Sequence, residues 1–151
     1  MILWCKKSIN KIYPFFDMDE IQDDNSIITD EYNLNFCCFI NSTNDYYMYS
    51  YFIIKNNFTL RSHVDKIKSN SINDAIHKVI INSLEQSIKY KIKNITIQND
   101  KYDIIHMLQN STNKKLKKIT NQFDNIVWKN ITNTDNSKSY LLCDKFIENH
   151  I

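Results

Sequence analysis

The sequence has no glycine, one proline, one alanine (Ala75) and one arginine (Arg61) in 151 residues. Without glycine, we expect asparagine at tight turns that need a positive φ angle, because its short polar side chain tolerates left-handed backbone geometry. The many Asn, Ile, Lys and Tyr residues are typical of an AT-rich genome. The abundance of Asn or Lys by itself therefore indicates nothing about function.

Cysteines are few, and their spacing does not suit a metal. They are Cys5, Cys37, Cys38 and Cys143. No pair has the Cys-x-x-Cys spacing of a structural zinc site, so we expect buried free thiols in a reducing intracellular compartment, the cytoplasm or the nucleus. No apolar run approaches about 18 residues, which excludes a predicted membrane span. Lys6 and Lys7 come too early for a secretory signal.

The overall composition predicts one folded domain with an N-terminal extension. Hydrophobic residues make up 42% of the chain and aromatic residues 13%, which is enough for a proper core. Residues 1–31 include an acidic stretch at residues 17–24 and are assigned to the extension, and residues 32–151 are assigned to the domain. The net charge of +2 is too small to indicate a nucleic-acid partner.

The middle of the chain reads as helix, strand and helix. Apolar residues recur every four positions from Ile76 to Ile88, which predicts a helix with one apolar side. Ile95 and Ile97 alternate with polar residues, which predicts a short strand. Asp100 follows that strand, where α/β proteins often place a metal ligand.

Three strands precede this segment, and a helix, a strand and a helix follow it. The strands are predicted at residues 34–40, 46–55, 58–64 and 125–131, and the flanking helices at 114–119 and 139–149, the last with Leu141, Leu142, Phe146 and Ile147 as its apolar side. The order is β-β-β-α-β-α-α-β-α. Asn56-Asn57 is expected to turn the chain between two strands, and Ser71 with Asp74 has capping-box spacing.

Three local segments in this order resemble the ribonuclease H family. The segment 95–108 is similar to the family's strand-to-helix motif, apolar-x-apolar-x-Thr-Asp-Ser followed by helical apolar positions. Trp128 lies in the last strand, where the family often has an aromatic residue, and Cys143-Asp144-Lys-Phe-Ile147 resembles the closing helix. The resemblance covers residues 33–149. It implies an α/β fold with a mixed five-stranded sheet flanked by helices.

The resemblance also implies four carboxylates around two magnesium ions that hydrolyse a phosphodiester. In this chain the four positions correspond to Asn41, Ile76, Asp100 and Asp144. A shorter loop after Trp128 would put Tyr140 at the fourth position instead. Asp100, with Asp144, would then hold a metal weakly, because two carboxylates are missing.

Two neighbouring acids are alternatives that we disfavour. Asp45 follows Asn41 by four residues and belongs to a turn. Asp74 would take the second position only if the helix shifted by two residues, which would put Lys78 on the core face. The hypothesis is therefore a catalytically inactive domain with no cofactor.

The expected role is that of a nucleic-acid-binding or scaffolding module in a larger nucleic-acid-handling assembly. The expected partner is an RNA–DNA hybrid or a structured RNA. It would be bound by a basic cluster of four residues, Lys114, Lys115, Lys117 and Lys118. The single arginine and the absence of glycine count against a strong duplex binder. Two alternatives stay open: an active magnesium-dependent ribonuclease H, and a protein–protein interaction module. The second would use residues 1–31 or an edge strand that carries Tyr46, Tyr47, Tyr49 and Tyr51.

Overall fold

The computed structural model describes residues 30–40 and 46–149. These residues form β1 (Tyr32–Ile40), β2 (Tyr46–Lys55), β3 (Phe58–Lys68), α1 (Ile72–Lys89), β4 (Asn94–Asn99), α2 (Tyr102–Gln109), α3 (Lys114–Thr120), β5 (Asn125–Asn130) and α4 (Ser137–Asn149). The predicted order of elements is confirmed, and β3 runs four residues further than predicted. Nearly all of the N-terminal extension, with its acidic stretch, lies outside the described residues, as do Asn41 and Asp45.

One mixed sheet of five strands forms the centre of the fold, in the order β3-β2-β1-β4-β5. β2 pairs antiparallel with β1 and β3, whereas β4 pairs parallel with β1 and β5. The predicted five-stranded α/β architecture is confirmed. The prediction that the tyrosine-rich strand lies at an edge is wrong, because β2 is paired on both sides. The unpaired edges of the described sheet belong to β3 and β5.

Both faces of the sheet are covered by helices. On one face, buried side chains of β1, β2 and β4 pack with α1 and α3, and Ile76, Val79, Ile80 and Leu84 form the inner side of α1. On the other face, α4 packs Cys143 against Cys37 and Met48. Phe146 and Ile147 join this cluster as predicted. Leu141 does not: it is 56% exposed, because α4 is rotated so that Ser139 and Cys143 point inward.

Asparagine takes the turn between β2 and β3, as the absence of glycine predicts. Asn56 and Asn57 have φ angles of 48° and 71°, in the left-handed region. The Asn56 side chain also fixes the start of β1, since its Oδ1 accepts the Glu31 N–H at 2.8 Å. The third residue with a positive φ angle among those described is Lys91, just after α1.

Ser71 caps α1, and removing its hydroxyl should cost about 1 kcal/mol of stability. Its Oγ accepts the backbone N–H of Asp74 at 3.1 Å. The Asp74 carboxylate accepts a hydrogen bond from Ser69 and pairs with Lys78 Nζ at 3.1 Å, so it serves the helix start. Urea unfolding should show this loss for Ser71→Ala but only a small change for Ser71→Asp. Equal stability of wild type and Ser71→Ala would contradict the assignment.

No helix in the described part of the chain is both long and apolar enough to cross a lipid bilayer.

Candidate functional site

Asp100 lies directly after β4, and its carboxylate accepts hydrogen bonds from three neutral side chains. Its side chain is 3% exposed. Asn136 Nδ2 donates to Oδ1 at 2.8 Å, and Asn133 Nδ2 donates to Oδ2 at 3.0 Å. The Tyr140 hydroxyl lies 3.0 and 3.1 Å from the two carboxylate oxygens. Both oxygens are therefore engaged by the loop before α4 and by its first turn.

A second set of hydrogen bonds holds those donors in place. Asn136 Nδ2 also donates to the Phe36 carbonyl oxygen at 2.8 Å, and Asn99 Nδ2 donates to the same oxygen at 2.7 Å. Ser139 Oγ donates to Asn136 Oδ1 at 3.1 Å. Asn99 and Asn136 are almost fully buried. The network thus joins β1, β4 and the start of α4 around one carboxylate.

The electrostatics of the pair Asp100 and Tyr140 favour an ionised acid facing a protonated phenol. Burial raises the pKa of the Asp100 carboxyl, but the hydrogen bonds from Asn136, Asn133 and Tyr140 outweigh burial and leave that pKa below its ordinary value. Burial and the hydrogen bond to Asp100 raise the pKa of the Tyr140 hydroxyl. Lys101 Nζ, 3.8 Å from Oδ2, is the cation beside Asp100.

Of the other predicted positions, none described brings a second carboxylate to Asp100. Ile76 is 2% exposed in the core between α1 and the sheet. Asp144 is exposed on α4, one turn after Tyr140, and Tyr140 is the α4 residue that contacts Asp100. Asn41 lies outside the described residues. Of the two α4 candidates for the fourth position, Tyr140 contacts Asp100, while the assignment of Asp144 to that position stays a prediction.

The sheet register relates Cys37 to Asp100. The last β1–β4 pair is Asn35 with Gln98, and continuing that register by two residues, one residue beyond the end of β4, would put position 37 beside position 100. Ile40, the last residue of β1, is already ~10 Å further along the strand at about 3.3 Å per residue. Cys37 is fully buried, with Sγ 3.6 Å from Cys143 Sγ and 3.4 Å from Ser50 Oγ. Its hydrogen bond to Cys143 and its burial raise the pKa of the Cys37 thiol, which stays neutral.

These residues do not fit a pair of magnesium ions. Mg²⁺ requires several oxygen ligands, mostly charged, in near-octahedral geometry. The described residues contain no group of three or more His, Cys, Asp or Glu side chains that could hold a metal ion. The groups that contact Asp100 present N–H and O–H donors to it, so its oxygens accept protein hydrogen bonds where a metal would bind.

A second candidate surface lies at the other end of α2. The four predicted basic residues Lys114, Lys115, Lys117 and Lys118 are all exposed on α3. Beside them, α2, α3 and β5 enclose an open groove of about 410 Å³, lined by Gln109, Lys117, Asn121 and Trp128 among others. The sequence predicted the basic cluster but gave no signal for the groove, because its lining comes from three elements.

His77 and Ser111 form a contact that no pattern in the sequence indicates. His77 Nδ1 lies 2.7 Å from the Asn73 carbonyl oxygen, and Nε2 lies 2.7 Å from Ser111 Oγ. The backbone N–H of Asn113 also donates to Ser111 Oγ at 3.1 Å. These bonds tie α1 to the turn between α2 and α3. Position 77 shows no spacing to another histidine that would have indicated it.

Comparison with solved structures identifies the fold. Ribonuclease H1 from the halophilic archaeon Halobacterium salinarum superposes with a TM-score of 0.67 and 13% identity, over 79% of this chain and 98% of that one. LC11-RNase H1 in complex with an RNA/DNA hybrid has a TM-score of 0.60 and 16% sequence identity, and the match covers 79% of this chain and 99% of that one. The N-terminal ribonuclease H domain of a Mycobacterium tuberculosis protein has a TM-score of 0.59 and 10% sequence identity, and the match covers 78% of this chain and 93% of that one.

At these identities the similarity establishes the fold alone: the chain has a ribonuclease H-like fold, as its sequence resemblance implied. No protein-family model and no curated protein sequence matches the chain.

Proposed function

We propose that this chain is a catalytically inactive ribonuclease H-like domain that binds nucleic acid or acts as a scaffold in a larger nucleic-acid-handling assembly. The observation that carries the proposal is the state of Asp100. Its carboxylate accepts hydrogen bonds from Asn133, Asn136 and Tyr140, which are neutral side chains. A site used for metal chemistry would keep those oxygens available.

Loss of charge is the physical reason for inactivity. Two divalent ions a few ångströms apart repel each other strongly, and several carboxylates are needed to hold them together. Ile76, which the sequence resemblance aligns with the second carboxylate, is a buried hydrocarbon side chain, and the β1–β4 register continued beyond its last pair would put the Cys37 thiol beside Asp100. One carboxylate offers too little negative charge and too few ligands. The domain is therefore expected to need no metal.

Nucleic-acid binding is supported by a surface that does not depend on catalysis. The four lysines of α3 are exposed and can neutralise phosphates, whereas the described acids lie on other elements. LC11-RNase H1, which has the same fold, was solved with an RNA/DNA hybrid. Buried free thiols at Cys37 and Cys143 support a reducing cellular compartment.

We expect no cleavage of an RNA–DNA hybrid by the wild-type chain with either Mg²⁺ or Mn²⁺. The measurement is a gel assay on a labelled hybrid, with Asp100→Asn as the matched variant. Wild type and variant should give the same background. Robust cleavage that Asp100→Asn abolishes would support the active-enzyme alternative and overturn the proposal.

Binding should depend on salt through α3. Replacing its four lysines by glutamine should lower the slope of log Kd against log salt concentration by about 3, because about four phosphate contacts are lost. Fluorescence anisotropy with a hybrid and a structured RNA measures this slope. A control with equal charge loss replaces exposed lysines elsewhere, namely Lys89, Lys91, Lys93 and Lys145. If the wild-type chain binds neither the hybrid nor the structured RNA, the result supports the alternative that the domain is a protein–protein interaction module.

A further inference from the structure

The groove beside α3 has the chemistry of a site for a single nucleobase. Trp128 lines it from β5, Gln109 from the end of α2 and Asn121 from the end of α3, while Lys117 supplies a cation. Its volume of about 410 Å³ is in the range of small-ligand sites. An aromatic side chain with amides and a lysine around it is the combination that binds an unstacked base and its phosphate.

The two amides are available for a ligand. Gln109 and Asn121 are exposed, and within the described residues neither side-chain amide has a hydrogen-bond partner. By contrast, Asn113 uses its Oδ1 to accept the Leu116 N–H at 2.9 Å and so caps α3. An amide presents one acceptor and two donors, which matches the edge of a base. These two side chains therefore differ from the asparagines that hold the fold together.

The floor of the groove is fixed by the core. Leu108 and Leu116 line it and are almost fully buried, and Trp128 pairs with Ile97 across the sheet and packs against the same core. A base that enters would meet a rigid apolar surface, which lowers the ordering cost of binding. The exposed lysines of α3 continue from the groove and can follow the phosphates on either side of that base.

We infer that this groove binds one unpaired base of a single-stranded or looped nucleic acid, with the base stacked against Trp128 and its edge contacted by Gln109 and Asn121. The inference rests on the proposed function, since it names the kind of nucleic acid that the domain binds. A base inside a regular duplex is stacked and paired and cannot enter. The domain therefore selects unpaired strands over the hybrid duplex, with α3 supplying the charge.

The test uses the chain with Trp4→Phe, so that Trp128 is the single tryptophan. Three probes are titrated: a single strand of about 12 nucleotides, the same sequence as a hybrid duplex, and adenosine monophosphate. We expect the single strand to bind at least about tenfold more tightly than the duplex and to quench Trp128 fluorescence. Gln109→Ala with Asn121→Ala should weaken single-strand binding about tenfold and leave duplex binding unchanged.

Three further variants serve as controls and comparisons. Gln122→Ala changes an exposed amide that does not line the groove, and it should bind like wild type. Trp128→Phe keeps a smaller ring and should weaken binding less than Trp128→Ala, whose loss is expected to be roughly 5- to 150-fold. Thermal unfolding of each variant shows whether it is folded. If Trp128→Ala does not fold, the variant with Gln109→Ala and Asn121→Ala tests the inference on its own.

Each outcome decides between the two proposals. Equal affinity for strand and duplex, with no effect of the amide variant, would overturn the inference and leave the proposed function standing. Tight binding of adenosine monophosphate without the strand would also overturn the inference, in favour of a free nucleotide. Absence of binding to all three probes would overturn the nucleic-acid role itself.

Discussion

Ile76→Glu is expected to lower the free energy of unfolding by about 4 kcal/mol at neutral pH. The sequence resemblance predicts that Ile76 takes the place of the second carboxylate of the ribonuclease H pattern, and in the structure Ile76 is 2% exposed and packs with Val79 and Ile80 against the sheet. A glutamate there would lose water without gaining a partner, which is among the most costly single changes. A site that still received a carboxylate from α1 would accept the same change with little loss.

Urea unfolding measures this loss, and pH tests its cause. A buried unpaired glutamate has a raised pKa, so the variant should regain part of its stability as pH falls and the carboxyl becomes neutral. Ile76→Leu keeps the volume and should cost less than about 1.5 kcal/mol. Asn73→Glu adds the same charge at an exposed position of α1 and should change little. A cost for Ile76→Glu near that of Asn73→Glu would refute the packed position.

Asp100→Asn is expected to destabilise the protein by about 2 kcal/mol, because three donors lose a charged acceptor and a new NH₂ group faces them. Asn133, Asn136 and Tyr140 are those donors. The sign of the effect separates two roles. In a cluster of acids, neutralising one carboxylate relieves repulsion and tends to stabilise the fold, whereas here it leaves buried N–H and O–H groups without an acceptor.

The pH dependence of the free energy of unfolding should also show that the ionised Asp100 carboxylate stabilises the fold. The folded pKa of Asp100 is below the unfolded value of about 3.9, so its contribution is complete above that value and is lost as pH falls through the folded pKa. Asp100→Asn should therefore lose less stability than wild type on acidification. Asp144→Asn, at an exposed position of α4, is the matched control and should change stability by less than about 0.5 kcal/mol. An Asp100→Asn variant as stable as wild type would refute the structural role.

The order of elements was predictable because local patterns carry it. The apolar spacing from Ile76 to Ile88 predicted a helix, and α1 covers it. The alternation at Ile95 and Ile97 predicted a strand, and β4 covers it. The turn at Asn56-Asn57 followed from the lack of glycine, and the cap at Ser71 from its hydroxyl three residues before Asp74. Each of these signals lies within a few residues of the structure that it specifies.

The candidate site was less predictable because it depends on register between distant segments. Counting along the chain selected Asn41, which lies outside the described residues, whereas the β1–β4 register continued beyond its last pair of Asn35 with Gln98 points to Cys37. Whether Tyr140 or Asp144 contacts Asp100 depends on the length of the loop before α4, which the sequence alone left open; in the structure Tyr140 makes that contact. The position of β2 within the sheet is likewise a matter of long-range pairing, which the tyrosine pattern did not encode.

Asn133 and Asn136 were missed because asparagine is common throughout this chain. A signal was present all the same: Asn136 and Tyr140 are four residues apart at the start of a helix, and that spacing puts two polar groups on one face. Their closeness to Asp100, more than 30 residues earlier in the chain, depends on the fold and is visible only in the structure.

Metal binding at Asp100 tests the central claim most directly. Mn²⁺ is titrated to millimolar concentrations into wild type and Asp100→Asn, and broadening of the Lys101 amide signal is followed by NMR. We predict that both proteins show the same weak, non-saturating broadening, because neutral side chains occupy the oxygens of Asp100. Saturable broadening in wild type that Asp100→Asn removes would contradict the account.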